Sequence, residues 1–272
     1  MTSLEFLYNT ALGRVLLKPL ASRGISRACG AFLDTKLSKI FIKSFVRNNS
    51  IVEDDYILDD INSFNDFFCR RIKGGLRVVD DSPFVLVAPC DGLLTVYKID
   101  SDTVLPVKQS SYTISSLLDD KDLASEFNGG LCLVYRLCVD HYHRYCYVDS
   151  GRKSPNRFIG GVLHTVRPVA LEGRPVFVQN CREYCVIDSP NFSRMVQMEV
   201  GAMLVGRIVN DEKGEADVVR GSEKGHFEYG GSTIIVLLKP GEAVIRDDIY
   251  EASLEGIEIP VKMGEEVGRR LI

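Results

Sequence analysis

Ser232 is the residue whose setting most clearly suggests chemistry. It lies in Gly230-Gly231-Ser232-Thr233, between a glycine-punctuated segment (221–229), predicted as a loop or hairpin, and an apolar run (234–238), predicted as a buried strand. Glycines before the serine let its hydroxyl approach the preceding carbonyl, which bulkier residues would hinder. The arrangement suits a serine that attacks its own peptide bond, although the tetrapeptide alone more readily predicts a tight turn before a strand.

Four histidines are available as a general base: His141, His143, His164 and His226. The first two lie where a predicted strand gives way to a polar segment, and His226 is expected to face solvent in a hairpin. Asp91 lies in a turn between two apolar strands. A carboxylate that orients an imidazole, which then takes a serine proton, needs no proximity in sequence. The alternatives are an Asx turn for Asp91 and a structural role for His143.

Short strands must position these groups. Strands are predicted at 84–88, 93–99, 131–137, 162–166, 176–178, 184–187, 195–200, 203–209 and 233–238. A capping box at 63–66 predicts a short helix through residue 71, and Thr113 is the predicted N-cap of a helix over 113–124. Strands separated by glycines predict an α+β fold whose β-rich catalytic body resembles a sandwich or barrel.

Two basic amphipathic helices are predicted ahead of that body, over residues 2–20 and 25–48. Residues 1–50 contain eight Lys or Arg and two acids, a net charge of +6, which leaves −10 for the rest of a chain whose total is −4. Such helices can lie in a membrane interface, where each base near an anionic surface contributes about 1 kcal/mol. Docking on the protein's own core is the alternative. Nucleic acid is not expected as a partner, because no recognition motif is present.

The composition limits the class of protein. The chain has 272 residues, of which 45% are hydrophobic and 26% are charged, as in ordinary globular proteins. No apolar run is long enough to predict a membrane-spanning helix, and no secretory signal is evident. The eight cysteines include no CxxC pair and are expected to be reduced core thiols. No metal site is therefore predicted.

Five stretches together resemble the phosphatidylserine decarboxylases. The stretch at 63–70 is similar to the family's SFNxFFxR, 88–92 to its SPxDG turn, 140–144 to DYHR and 200–206 to VGAxxVGxI. Residues 221–227, followed by 230–233, resemble the GxExGxF…GST signature. Each match alone is weak, but five in family order between residues 63 and 238 are specific.

The resemblance implies a pyruvoyl enzyme that makes its own cofactor. In the family, the GST serine attacks the preceding glycine carbonyl, and elimination and hydrolysis then convert it to a pyruvoyl group. Carried over, the cut falls between Gly231 and Ser232, and the β chain (1–231) and α chain (232–272) form a heterodimer. The substrate amine forms a Schiff base with the pyruvoyl group derived from Ser232, in the role that pyridoxal phosphate has elsewhere. Phosphatidylserine thereby becomes phosphatidylethanolamine.

One departure from the family concerns the base for self-cleavage. When residues 142–144 are aligned on YHR, Cys146 stands where the family has the second histidine of DYHRxH, and His141 stands on the aspartate. Cysteine is a poor base unless its pKa is depressed. Either His143 serves both reactions, or His164, where the family usually has an aromatic residue, replaces the missing base. The hypothesis favoured here assigns self-cleavage to His164 and assistance in decarboxylation to His143.

The implied substrate, an anionic lipid, favours the membrane interpretation of the N-terminal helices. Residues 1–50 are then a membrane-associating region and 51–272 the catalytic domain of a peripheral protein on the cytoplasmic side of the cell membrane. The expected catalytic residues are Asp91, His143, His164 and Ser232. An ether-linked serine lipid as substrate and a membrane-associated domain that has lost processing are the alternatives, and further assembly into a homo-oligomer stays open.

Overall fold

Helices of the computed structural model lie mostly at the two ends of the chain. The structure describes residues 3–100, 104–107, 110–162, 164, 176–202, 207–229 and 232–271. Its helices are α1 Ser3–Asn9, α2 Ala11–Leu20, α3 Arg23–Leu33, α4 Ile42–Asn48, α5 Phe64–Phe68, α6 Ile114–Leu118, α7 Lys121–Ser125, α8 Val176–Gln179 and α9 Asp247–Leu254, with 3₁₀ turns at Lys36–Phe41 and Glu53–Asp55.

The strands follow one another with short connections. They are β1 Tyr56–Ile57, β2 Arg71–Ile72, β3 Val85–Val87, β4 Gly92–Lys98, β5 Val104–Val107, β6 Ser110–Thr113, β7 Leu131–Leu137, β8 Arg144–Cys146, β9 Gly151–Lys153, β10 Arg157–Ile159, β11 Arg182–Ser189, β12 Ser193–Val200, β13 Ile208–Asn210, β14 Ala216–Val218, β15 Glu223–Phe227, β16 Ser232–Leu238, β17 Ala243–Ile245, β18 Ile259–Val261 and β19 Glu266–Arg270. The predicted mixture of helices and sheets is confirmed.

One large antiparallel sheet organises the molecule. Its order is β14-β9-β11-β12-β16-β7-β4-β18, with β10 paired to β11. Within the described residues the sheet is open, with β14 and β18 at its ends, so the expectation of a barrel-like body is not met. Both end strands have only three residues, which offer few groups for closing a barrel. Two three-stranded sheets, β13-β15-β8 and β17-β19-β3, complete the body.

The central strand β16 is buried on both faces. Because successive side chains of a strand point to opposite faces, Ile235 and Leu237 join one core and Ile234, Val236 and Leu238 join another. Helix residues such as those of α6 and α8 contribute to the first core, and residues of the two small sheets contribute to the second. This double burial explains the continuous apolar run that follows the serine.

Local sequence signals set several helix boundaries. Ser63 Oγ accepts from the Asp66 N–H at 3.0 Å, and Thr113 Oγ1 accepts from the Ser116 N–H at 3.0 Å, so both predicted N-caps are confirmed. The helix predicted over 113–124 is instead two helices, because Asp119 has a left-handed φ of 50° that ends α6.

Some strand predictions were wrong or lie partly outside the described residues. Residues 176–178, predicted as a strand, belong to α8, where the Asn180 N–H donates to the Val176 carbonyl at 2.8 Å. Three residues are too few to distinguish the two periodicities. The predicted strands 162–166 and 203–209 fall largely outside the described residues, although Val162 forms a bridge to Asn180. The segment predicted as a loop or hairpin at 221–229 contains β15, which pairs antiparallel with β13.

The N-terminal helices pack on the catalytic body. Tyr8 and Leu17 belong to its core, Ser38 Oγ accepts from the Phe64 N–H at 2.8 Å, and Phe45 packs against the aromatic residues of α5. The docking alternative therefore holds for one face of these helices. In the described part of the chain, no helix combines the length and the apolar character needed to cross a bilayer.

Candidate active site

Ser232 begins the central strand of the large sheet. It is fully buried and lies opposite Leu137 of the neighbouring strand β7. Among the residues the structure describes, nothing hydrogen-bonds to its Oγ. Gly230 and Gly231 are outside the described residues, so the geometry of the predicted cleavage bond is not described. A buried hydroxyl without a partner is unusual in a stable core, and it is consistent with a nucleophile.

The strand order brings four chain segments to one edge of the sheet. β16 begins at Ser232, β7 ends at Leu137, and β4 begins directly after Asp91. On the other side of β16, the last residue of β12, Val200, pairs with Thr233. Because these neighbours are antiparallel, the starts of β16 and β4 meet the ends of β7 and β12. Candidate residues that are distant in sequence thereby become neighbours.

Arg77 holds the carboxylate of Asp91. Its Nε and Nη2 lie 2.7 and 2.5 Å from the two carboxylate oxygens, and the backbone N–H of Met263 donates to Oδ1 at 2.9 Å. The hydrogen bonds that Arg77 donates to this carboxylate raise the pKa of Arg77, so the guanidinium keeps its charge. The carboxylate is thus engaged by an arginine, and its predicted role in orienting an imidazole stays a prediction.

His143 is fully buried, with its ring against Phe68 at a centroid distance of 4.1 Å. Its Nδ1 lies 2.9 Å from the His141 carbonyl oxygen, and because a carbonyl can only accept, Nδ1 carries the proton and Nε2 carries a lone pair. Within the described chain, Nε2 has no hydrogen-bond partner. Burial lowers the pKa of His143 to about 3, so the ring is neutral at pH 7 and is a weak base.

A tight turn after β7 carries His141. The His141 N–H donates to the Cys138 carbonyl at 3.0 Å, and the Cys138 N–H donates to His141 Nδ1 at 3.1 Å. Burial lowers the pKa of His141, whereas the charges of Asp140 and Asp91 oppose that shift. The sequence offers His141 as one of four possible general bases but assigns it no role. In the alignment it stands on the aspartate of DYHR. The turn lies at the same sheet edge as the serine.

His164 reaches this edge through Asn180. The His164 N–H donates to Asn180 Oδ1 and its carbonyl accepts from Asn180 Nδ2, both at 2.8 Å. The same Nδ2 donates to the Gly201 carbonyl at 2.7 Å, one residue beyond the end of β12. The buried imidazole has its Nδ1 3.3 Å from the Tyr8 hydroxyl. The structure therefore places the backbone of His164 beside the end of β12, with its ring against Tyr8.

Cys146 cannot replace the missing histidine as a base. It is buried in β8, and burial raises its pKa to about 12. The thiol is therefore protonated at neutral pH. His226, expected to face solvent, is half-buried in β15, and burial lowers its pKa to about 4.

The segment that resembles SFNxFFxR packs against the chain just before the predicted cleavage tetrapeptide. The rings of Phe64 and Phe68 each lie edge-on to Tyr229 with centroids 5.1 Å apart. Asn65 Oδ1 accepts from the Tyr229 N–H at 3.4 Å. Because Phe68 also contacts His143, α5 fixes both a candidate catalytic histidine and the entry to the serine.

A buried ion pair joins β15 to β12. Lys224 Nζ lies 2.6 Å from Glu199 Oε2, both side chains are fully buried, and Asn210 Oδ1 accepts from Nζ at 2.9 Å. Although burial lowers it, the charge of Glu199 raises the pKa of Lys224 overall, so the ammonium persists. The pair ties the strand that leads to the cleavage tetrapeptide onto the neighbour of β16.

Residues 64–269 match the sequence profile of the family described as "Phosphatidylserine decarboxylase". This chain belongs to the phosphatidylserine decarboxylase family. The "Phosphatidylserine decarboxylase proenzyme 2" of Clostridium acetobutylicum is 42% identical over 266 residues, which cover 97% of this chain and 91% of the relative. The proenzymes of Ruminiclostridium cellulolyticum and Clostridium botulinum are 40% and 36% identical, over 97% and 99% of this chain and 90% and 93% of theirs.

The match to the phosphatidylserine decarboxylase family extends from α5 to β19. It includes Asp91, His143, His164 and Ser232, which the sequence predicts as site residues, and it leaves the first four helices outside. The resemblance and the enzyme class predicted from the sequence, a carboxy-lyase, are thereby confirmed. The roles of the individual residues stay predictions, which their positions at one sheet edge support.

Proposed function

We propose that this protein is a self-processing decarboxylase that converts phosphatidylserine to phosphatidylethanolamine and CO₂, with a pyruvoyl group made from Ser232. The observation that carries the proposal is the GST serine of a member of this family, buried at the start of a central strand, whose Oγ has no hydrogen-bond partner among the described residues. Its relatives are named as proenzymes of phosphatidylserine decarboxylase.

Self-cleavage begins with Ser232 Oγ. A base removes its proton, the oxygen attacks the Gly231 carbonyl carbon, and the peptide nitrogen leaves with a proton, so that the amide becomes an ester. Elimination then releases the Gly231 carboxylate, and hydrolysis of the resulting enamine converts residue 232 to a pyruvoyl group with loss of ammonia. The buried hydroxyl fits this origin, because within the described residues it has no competing hydrogen bond.

The low pKa of His143 makes it a weak base, which favours His164 as the base for self-cleavage. A pKa of about 3 for His143 makes its protonation at pH 7 about 5 kcal/mol uphill. His164, whose backbone is tied through Asn180 to Gly201 at the end of β12, is therefore assigned to the serine proton, with Asp91 as the predicted carboxylate of the site. The neutral Nε2 of His143 is suited to accept a hydrogen bond from the substrate during decarboxylation.

The pyruvoyl group supplies an electron sink for the carbanion left when CO₂ departs. The residues of this chain bind the substrate, exclude water and hold protons around it. His143 contributes a lone pair at Nε2 that is already oriented by the bond from its Nδ1 to the His141 carbonyl. Because the ring is already oriented, it need not reorganise when Nε2 accepts a hydrogen bond from the substrate.

Processing is tested by intact mass and a denaturing gel of the purified protein. We expect two chains, 1–231 and a 41-residue chain (232–272) with a blocked N-terminus, and a single chain for Ser232→Ala. Ser26→Ala is the matched control, because Ser26 is also buried and its Oγ has no hydrogen-bond partner in the part of the chain that the structure describes. A folded parent protein that stays one chain would contradict the proposal.

The two histidines are separated by their variants. His164→Ala is expected to slow self-cleavage by about 10²–10⁴-fold, the usual contribution of a general base. His143→Ala is expected to retain cleavage and to lose decarboxylation of phosphatidylserine, measured as CO₂ release. Cleavage of His164→Ala at the parent rate would eliminate His164 as the base.

We further propose that the N-terminal region docks on the cytoplasmic face of the cell membrane. Large apolar side chains are exposed between α3 and α4, with Leu37 and Ile40 at 72% and 74% exposure. Basic side chains exposed around them are Arg27, Lys36, Lys39, Lys43 and Arg47. Apolar and basic groups on one exposed segment are the combination that binds an anionic interface.

Charge reversal tests this surface without deleting helices that pack on the body. Replacing Lys36, Lys39 and Lys43 with Glu removes about 3 kcal/mol of attraction, since each base contributes roughly 1 kcal/mol. We expect binding to vesicles containing phosphatidylserine to fall at least about 100-fold at low salt. The control carries the same reversal at Lys98, Lys213 and Lys262, which are exposed on the body. Equal loss in both variants would argue against a specific N-terminal surface.

A further inference from the structure

The turn after β7 gathers three metal-ligating side chains of different types. One ligand atom from each of Cys138, Asp140 and His141 lies within 4.8 Å of the others. A thiolate, a carboxylate and an imidazole are the donors that Zn²⁺ takes in sites with three protein ligands and an open fourth position. A search for paired CxxC motifs misses this set, because its single cysteine is joined by donors of other types.

Backbone hydrogen bonds explain why these donors converge. The His141 N–H donates to the Cys138 carbonyl at 3.0 Å and closes a four-residue turn. Arg70 Nη2 donates to the Asp140 carbonyl at 3.4 Å and anchors the middle of the turn. The donors are therefore held by the fold, and residues 138, 140 and 141 are half-buried, exposed and half-buried in turn. A cation can enter from solvent.

The geometry is close to that of a zinc site. Zn²⁺ bonds of about 2.0–2.3 Å place tetrahedral ligand atoms roughly 3.3–3.8 Å apart, so donors at the 4.8 Å limit need to approach by about 1–1.5 Å. His141 Nδ1 accepts the Cys138 N–H, so it is the unprotonated nitrogen and already points toward residue 138. Binding there exchanges that hydrogen bond for a metal bond.

Neighbouring charges permit a cation. Arg136 Nη1 lies 3.2 Å from Cys138 Sγ, but Arg136 also forms a two-pronged ion pair with Glu258, at 2.8 and 2.5 Å. Its positive charge is therefore compensated. Asp140 forms no ion pair within the described residues, which leaves its carboxylate available as a ligand.

We propose that this turn is a binding site for Zn²⁺ or a similar borderline-soft divalent cation, and that the bound cation inhibits the enzyme. Leu137, immediately before the turn, lies opposite Ser232, and the His141 carbonyl accepts a hydrogen bond from His143 Nδ1–H. A metal that draws the three donors together shifts His141, and with it the carbonyl that orients His143, the histidine predicted to assist decarboxylation. The inhibitory part rests on the proposed function, whereas the binding part does not.

Binding is tested with Co²⁺ alone, which reports a thiolate ligand by a near-ultraviolet charge-transfer band. We expect the purified protein to show this band, Zn²⁺ to displace it, and Cys138→Ser to abolish it. Cys29→Ser, which removes a half-buried thiol of α3, is the control and keeps the band. Absence of the band in the parent protein, or its persistence in Cys138→Ser, would overturn the site.

A second variant guards against misfolding. Asp140 is exposed, so Asp140→Asn leaves the fold intact and is expected to weaken Co²⁺ binding by about tenfold or more. Asp81→Asn, at another exposed carboxylate, is the control, and equal affinities in the two variants would remove Asp140 from the site.

Inhibition is measured in a separate experiment. Zn²⁺ should slow decarboxylation by the processed parent protein and should not slow decarboxylation by processed Cys138→Ser. Equal inhibition of both proteins would refute the inhibitory role, whereas metal binding is tested independently by the Co²⁺ spectra.

Discussion

Replacing Cys146 with alanine tests the conclusion that this thiol is no substitute for the missing histidine. Burial raises its pKa to about 12, so at pH 7 about one molecule in 10⁵ carries a thiolate, equivalent to about 7 kcal/mol. A base that must first be generated at that cost adds little to a reaction that a neutral imidazole can start. We therefore expect Cys146→Ala to cleave itself at close to the parent rate.

The assay follows the conversion of the 272-residue chain to two chains on denaturing gels after cell-free synthesis. Loss of the true base would slow conversion by about 10²–10⁴-fold, so the two outcomes are well separated. Cys132→Ala is the matched control, because Cys132 is a fully buried thiol in β7 that pairs with Leu237, at the far end from the serine. A tenfold slowing in Cys146→Ala but not in Cys132→Ala would refute the reasoning.

Three further predictions concern the surroundings of the site. Burial lowers the pKa of His143 to about 3. Between about pH 6.5 and that value, the unfolded chain binds a proton at this residue that the folded chain does not bind. The free energy of unfolding therefore falls by up to about 1.4 kcal/mol for each pH unit as the pH falls toward 3. His143→Gln should flatten that slope in urea titrations, and an unchanged slope contradicts the assignment. In a Ser232→Ala background, Lys224→Met should lower the free energy of unfolding by about 3–5 kcal/mol, because it leaves Glu199 buried without its partner. Adding Glu199→Leu should recover most of that loss, and equal losses in the single and double variants would show that the ion pair is not the cause. Phe68→Leu keeps an apolar side chain but removes the ring against His143. The processed variant should release CO₂ from phosphatidylserine at least about tenfold more slowly, and release at the parent rate would show that this contact does not position His143.

Short-range signals made part of the fold predictable. The N-caps at Ser63 and Thr113 depend on one side chain and a backbone N–H three residues later, so sequence alone suffices. The strand predicted over 131–137 matches β7, because a mostly apolar run of seven residues between turn signals is typical of a buried strand. The serine and its strand were predictable for the same reason.

Long-range contacts were not predictable. Nothing in the sequence indicates that Arg77 would hold Asp91, or that Asn180 would connect His164 to Gly201, because those bonds depend on the order of strands in the sheet. The open sheet also differs from the barrel-like expectation, because the number of strands does not determine whether the two edge strands, β14 and β18, pair with each other. The strand predicted at 176–178 was wrong because tertiary packing overrides the preference of valine for strands, and these residues form part of α8.

The position of β16 links maturation to completed folding. The strand lies between β7 and β12, and in the proposed maturation its first residue becomes the cofactor. The serine reaches its buried setting only after segments nearly a hundred residues upstream have been placed on one side and β12 on the other. Self-cleavage therefore acts as a checkpoint: a chain whose sheet is misassembled keeps an ordinary serine and gains no decarboxylase chemistry. After the cut, the seven buried residues of β16 keep the two chains interleaved, so the reactive group stays anchored in the sheet that produced it.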